Sequence, residues 1–149
     1  MLSGKKPALL VRENIAAGLP GESREEAIRR VGRMLVDGGY VNGRYVDGML
    51  ARERSFTTAI GNLIAVPHGE IGYIKEIRHP GLAVCAYPDG IEWGGDEVLL
   101  VVGIAAAGDE HLEILGRIGD AFGDGSEVDA VVRSGDAERL FRILCPEGS

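Results

Sequence analysis

Two apolar runs of strand length, Leu82 to Tyr87 and Val98 to Ala106, constrain this chain more than any other feature. Only ten residues separate them. A helical crossover between parallel strands needs a dozen or more, so the two runs are expected to pair antiparallel. Pro88-Asp89-Gly90 and Gly108 bound them. Their apolarity is nearly continuous rather than alternating, which means that both faces of the pair are covered. Ile64-Ala65-Val66 reads as a third, shorter strand ended by Pro67.

The cover has to come from helices. Ser23-Arg24-Glu25-Glu26 is a capping box, in which the serine oxygen and the second glutamate satisfy free amide N–H groups. Ala27, Ile28, Val31, Met34 and Leu35 follow as a helical stripe, with Arg24, Arg29 and Arg33 off it. Gly38-Gly39 supplies the stop. A second helix is expected from Tyr45 to about Arg54, turning Val46, Met49 and Leu50 inward. After Asp109 the period returns to helical, with Leu112, Leu115, Ile118 and Phe122 on one stripe and a last short helix from Ala137 to Leu144. Helices before and after a central set of strands predict an α/β fold, a mixed β-sheet covered by helices on both faces.

At 149 residues the chain is one domain's worth, able to bury a core without metal or disulfide support. No repeat or interdomain linker interrupts residues 1–149, so a single domain is expected, with its core over about residues 10–144. No window approaches the roughly 18 apolar residues of a membrane span, and Arg12, Glu13 and Asn14 interrupt any signal-peptide pattern. The expected location is therefore the cytoplasm, without membrane insertion. A formal charge of −7 argues against a nucleic-acid surface. Cys85 and Cys145 lack metal-ligand spacing and read as buried or free thiols in a reducing compartment.

Three residues are candidates for chemistry. His68 follows Ala65-Val66-Pro67 and precedes Gly69; the proline fixes the chain direction, and the glycine would let a partner approach the imidazole. An imidazole at a rigid strand end is a good nucleophile mount, because it is largely neutral near pH 7. If Asp109 caps the next helix, His111 falls in its first turn, an anion-friendly place. Arg52 carries the fork best suited to phosphoryl oxygens. Singly, each has an ordinary structural reading: a turn histidine, a surface histidine and a solvated arginine. His79, before Pro80, is a loop residue without a role. The three histidines lack metal-ligand spacing. Trp93-Gly94-Gly95-Asp96-Glu97-Val98 partly resembles the Gly-Gly-Asp-Glu-Phe signature of diguanylate cyclases, but a tight turn entering a strand accounts for it.

Together, Arg52-Glu53, Thr57-Thr58-Ala59-Ile60-Gly61 and Ala65-Val66-Pro67-His68-Gly69 resemble the phosphorylation-site region of type-2 enzyme IIA domains of sugar phosphotransferase systems, the mannitol and fructose family. Glu25-Glu26-Ala27-Ile28, Gly38-Gly39-Tyr40-Val41, Cys85-Ala86-Tyr87-Pro88-Asp89-Gly90, Val102-Gly103-Ile104-Ala105-Ala106 and Glu110-His111 extend the likeness toward its mannitol-specific members. It covers about Leu10 to Leu144. Ala59 stands where many relatives have glycine, and Asn62 where some carry a glutamate.

The resemblance implies the mannitol-type enzyme IIA fold and a phosphoryl relay. The histidine phosphocarrier protein HPr would donate to His68, which attacks in line through Nε2. The group would pass to a cysteine of enzyme IIB, coupled to the membrane enzyme IIC and uptake of mannitol or a related sugar. His111 would orient the phosphoryl group and Arg52 neutralise its charge. No metal or small cofactor is implied. A shallow apolar docking patch around His68 is expected to include Ile60, Leu63 and Ile71. A regulatory paralogue of the nitrogen-related kind, acting through phosphorylation-dependent protein binding, is the alternative and uses the same histidine.

Overall fold

A computed structural model describes residues 8–146. Five strands form one mixed sheet: β1 (Ile15–Ala16), β2 (Ala59–Gly61), β3 (Ile64–Ala65), β4 (Gly81–Trp93) and β5 (Asp96–Ala105), in the order β1-β4-β5-β3-β2. β4 and β5 pair antiparallel, as their short separation requires, while β1 joins β4 and β3 joins β5 in parallel.

The hairpin is tighter than the sequence suggests. β4 does not end at Pro88-Asp89-Gly90; it continues to Trp93, and the turn is Gly94-Gly95, with Trp93 opposite Asp96. Both glycines have positive φ, 61° and 100°, as a two-residue turn matched to strand twist demands. The proline is accommodated because the register shifts between Ala86 and Ile91, where a missing N–H breaks no rung.

Alternate residues of β4 and β5 enter two cores. Leu82, Val84, Ala86, Leu100, Val102 and Ile104 pack under α3 (Gly108–Phe122), α4 (Gly125–Ser134) and α5 (Ala137–Leu144). Ala83, Cys85, Tyr87, Val101 and Ala105 pack under α1 (Arg24–Asp37) and α2 (Arg44–Ser55). Helices thus cover both faces, as expected. The capping box at Ser23 forms with both of its hydrogen bonds: Glu26 N–H donates to Ser23 Oγ (3.1 Å) and Ser23 N–H donates to the Glu26 carboxylate (2.9 Å). Cys85 and Cys145 are buried and form no disulfide, and burial pushes the Cys85 thiol up to about 12. Among the described residues no helix is long and apolar enough to cross a membrane.

Not expected from the sequence are the edge strands β1 and β2, the short 3₁₀ segment Arg12–Asn14 and two further elements. α4 is capped by Asp124, whose carboxylate accepts from Ser126 N–H (2.9 Å). A 3₁₀ segment, Ile71–Glu76, connects the region after His68 to β4.

A buried carboxylate joins α2 to the sheet. Glu53, 6% exposed, accepts from Thr58 N–H (3.0 Å), Thr58 O–H (2.5 Å) and the Trp93 indole N–H (2.9 Å). Three donors offset the cost of taking the charge out of water. Thr58 in turn accepts the Val66 N–H on its carbonyl (2.9 Å), so the carboxylate also fixes the approach to Pro67. Glu53→Gln turns an amide NH₂ toward these donors and is expected to cost about 1–3 kcal/mol. Urea denaturation should show a lower midpoint at an unchanged slope; a midpoint equal to the wild type would contradict this account of the network.

Candidate functional site

The parallel pairing of β3 with β5 sends both strands out of the sheet at the same end. His68 lies just beyond β3 and His111 in the first turns of α3, just beyond β5. Their ring centroids are 4.5 Å apart with the planes tilted by 54°. The site lies outside the carboxyl ends of parallel strands, where α/β proteins place their ligands.

Each imidazole is set by its backbone. The chain around His68 is held by Val66 N–H on Thr58 O and by Ile104 N–H on Pro67 O, both 2.9 Å. The His68 ring turns Nδ1 to the Val66 carbonyl at 2.8 Å. A carbonyl only accepts, so Nδ1 carries the proton and Nε2 keeps its lone pair. His111 does not owe its place to an Asp109 cap: Ala107 precedes the helix and no side chain caps it. Its Nδ1 is buried without a hydrogen-bond partner among the described residues. Such an atom costs about 1–3 kcal/mol unless something pairs with it.

Arg52 comes from the last turn of α2. One N–H of its guanidinium donates to the Phe56 carbonyl (2.8 Å), which steadies the fork at the negative end of the helix; among the described residues its other donors have no hydrogen-bond partner. Burial lowers the His68 pKa below its ordinary value, opposed by the Val66 bond; the Arg52 charge lowers it further and Glu53 raises it. Burial lowers His111 too, helped by the charges of His68 and Arg52. Both rings are therefore neutral at pH 7.

Several large apolar side chains stand exposed in the segments that flank Arg52, His68 and His111 in sequence. Ile71 is 83% exposed, Phe56 74%, Leu112 65% and Ile60 48%. Ile60 and Ile71 are where a docking patch was expected. Leu63 is not: it is half-buried against the core beneath α4, with a left-handed backbone (φ 68°). Leu112 is exposed instead, because α3 turns Ile114, Ile118 and Phe122 to the core and leaves Leu112 out. The reason for Gly69 also differs from the expected one. A Cβ there would lie 2.4 Å from the Tyr45 ring, so the position is small to admit the tyrosine rather than a visiting partner. His79 sits apart, in the loop before β4, with its backbone N–H on Tyr40 O (3.1 Å).

The signs of the histidine shifts give a pH prediction. Because the folded values lie below the unfolded ones, the unfolded chain binds more protons. Their contribution to stability is full above pH about 6.5 and is lost as pH falls through the folded values. Imidazole NMR titration should place both midpoints below 6.5, and Arg52→Gln should raise both. Midpoints above 7, or midpoints indifferent to Arg52→Gln, would contradict the electrostatics of the site.

Comparison with known proteins places this geometry. The family profile of the phosphoenolpyruvate-dependent sugar phosphotransferase system, EIIA 2, matches residues 8–145. The chain is 37% identical over 136 residues to the mannitol-specific phosphotransferase enzyme IIA component of Halalkalibacterium halodurans, covering 91% of this chain and 94% of that protein. It is 40% identical over 138 residues to the mannitol-specific EIICBA component of Vibrio cholerae, of which it spans 21%. The Escherichia coli enzyme IIA of the mannitol system, solved in complex with phosphorylated enzyme IIB, superposes with a TM-score of 0.84 at 34% identity, over 90% of this chain and 95% of that one. A profile match along nearly all of the described chain, joined to that identity and that fold, makes this protein a member of the type-2 enzyme IIA family of sugar phosphotransferase systems.

Proposed function

We propose that this chain is one cytoplasmic enzyme IIA domain of a mannitol-type phosphotransferase system, its core over residues 10–144, with His68 as the residue that carries the phosphoryl group. The observation that carries this reading is the His68–His111 pair: a ring with Nδ1–H committed to Val66 O, against a ring whose own Nδ1 lacks a partner. The relatives reported above bear the mannitol name, which supports transport over the regulatory alternative.

The chemistry follows from those atoms. The Nε2 lone pair attacks the phosphorus of phospho-HPr; the donor's P–N bond breaks as the new Nε2–P bond forms. No proton leaves His68, because Nδ1–H stays on the carbonyl. Arg52 and His111 stabilise the charge spread over the equatorial oxygens, where positioning and electrostatics supply most of the catalysis. A cysteine thiolate of enzyme IIB then attacks the phosphorus, the Nε2–P bond breaks, and His68 returns to its neutral form. The acceptor would be coupled to the membrane enzyme IIC. Ile71, Leu112, Phe56 and Ile60 form the apolar face on which each partner docks in turn, in keeping with the modest areas of transient complexes.

Labelling from phosphoenolpyruvate with purified enzyme I and HPr tests the reading. Acid-labile phosphate should appear on the wild type and on His111→Ala, and be absent from His68→Ala. Ile71→Asp and Leu112→Asp should slow labelling while the fold is kept. Labelling of His68→Ala at the wild-type level, or an unlabelled folded wild type, would overturn it.

A further inference from the structure

The β3–β5 ladder does not stop where β3 ends. After Ile64 opposite Leu100 and Ala65 opposite Val101, the same register returns once more, with His68 opposite Ile104. In a parallel ladder a residue donates its N–H to one side of its opposite number and accepts an N–H from the other side. Ile104 makes the first bond, its N–H on Pro67 O at 2.9 Å. The second bond is interrupted. Gly69 N–H donates to the Tyr45 hydroxyl (2.9 Å), and that hydroxyl donates to Ile104 O (2.8 Å). A phenol from α2 is thus inserted into a rung of the sheet.

The insertion is built in. Tyr45 is 1% exposed, and its ring occupies the space that any side chain at position 69 would need. Burial pushes the phenol up to about 12, so the hydroxyl stays protonated and able to donate at any working pH. α2 makes a second attachment beside it, Glu70 N–H on Gly48 O at 3.1 Å. His68 is therefore tied to β5 directly on its N-terminal side and through a spacer one hydroxyl wide on its C-terminal side.

We propose that Tyr45 is a positioning residue for phosphoryl transfer: its hydroxyl holds Gly69 away from β5 and thereby sets the position of the His68 imidazole against His111. Tyr45 touches no reacting atom and acts through the Gly69 amide. The inference rests on His68 being the phosphoryl acceptor. Without the hydroxyl, Gly69 N–H and Ile104 O either close on each other or remain unpaired, and the imidazole moves in both cases. Small displacements of a reacting group cost rate rather than binding.

Tyr45→Phe tests this while keeping the ring that fills the space beside Gly69. Phosphoryl acceptance from phospho-HPr should lose about 10- to 100-fold in kcat with an unchanged KM, since the buried hydroxyl lies off the docking face. The nuclear Overhauser contact between the His68 and His111 rings, read by NMR on the same sample, should change with it. A kcat within twofold of the wild type overturns the proposal, and so does a lost kcat with the ring contact unaltered. Amide exchange at Gly69 in the wild-type chain is a check that needs no variant: protection is expected, and exchange at the rate of a free loop amide overturns the proposal. If the wild type accepts no phosphoryl group, the relay reading fails by itself, and the ring contact and amide exchange still decide whether Tyr45 sets the geometry.

Discussion

Burial of both faces of the β4–β5 hairpin is the constraint on which the rest of the molecule depends. Because each face must be covered, α1 and α2 lie on one side and α3, α4 and α5 on the other. Because β3 joins β5 in parallel, its chain leaves the sheet beside the point where β5 leaves for α3. Arg52 therefore comes to the site from one layer and His111 from the other, while His68 stands on the strand end between them. Three side chains far apart in sequence meet because one hairpin is apolar on both sides.

The electrostatics of the site run against those of the chain. The protein carries a formal charge of −7, yet the carboxylate next to Arg52 in sequence, Glu53, is turned inward and held by Thr58 and Trp93. Both imidazoles feel the guanidinium charge, which for His68 is opposed by the Glu53 carboxylate. A neutral imidazole with its Nδ1 committed to a carbonyl, near a guanidinium, suits the proposed phosphoryl group, which arrives with negative charge and must leave again.

Much of this was legible in the sequence because the signals were local. The capping box at Ser23, the stripe of α1, the two apolar runs and the proline before His68 each state their own structure, and the family likeness tied the site residues together. The misreadings have physical causes. Pro88-Asp89-Gly90 looks like a turn, but a register shift lets the strand run through it. Leu112 fits the period of α3 and yet faces outward, since the helix rotates to bury Ile114. α4 is faint in the sequence although Asp124 and Glu127 have capping spacing and Val128, Val131 and Val132 form a stripe; three β-branched residues in so short a segment weaken the helical signal. Tyr45 and Gly69 were unreadable as a pair, because nothing in a sequence says that one residue's missing side chain is another's ring.

In the proposed relay the phosphoryl group sits on Nε2 of His68, because Nδ1–H is held by Val66 O. Phosphorylating the ¹⁵N-labelled chain and reading the phosphorus–nitrogen coupling at each imidazole nitrogen tests it most directly. Coupling is expected at His68 Nε2, with the Nδ1 proton still in place. Coupling at His68 Nδ1, or at either nitrogen of His111, would contradict it.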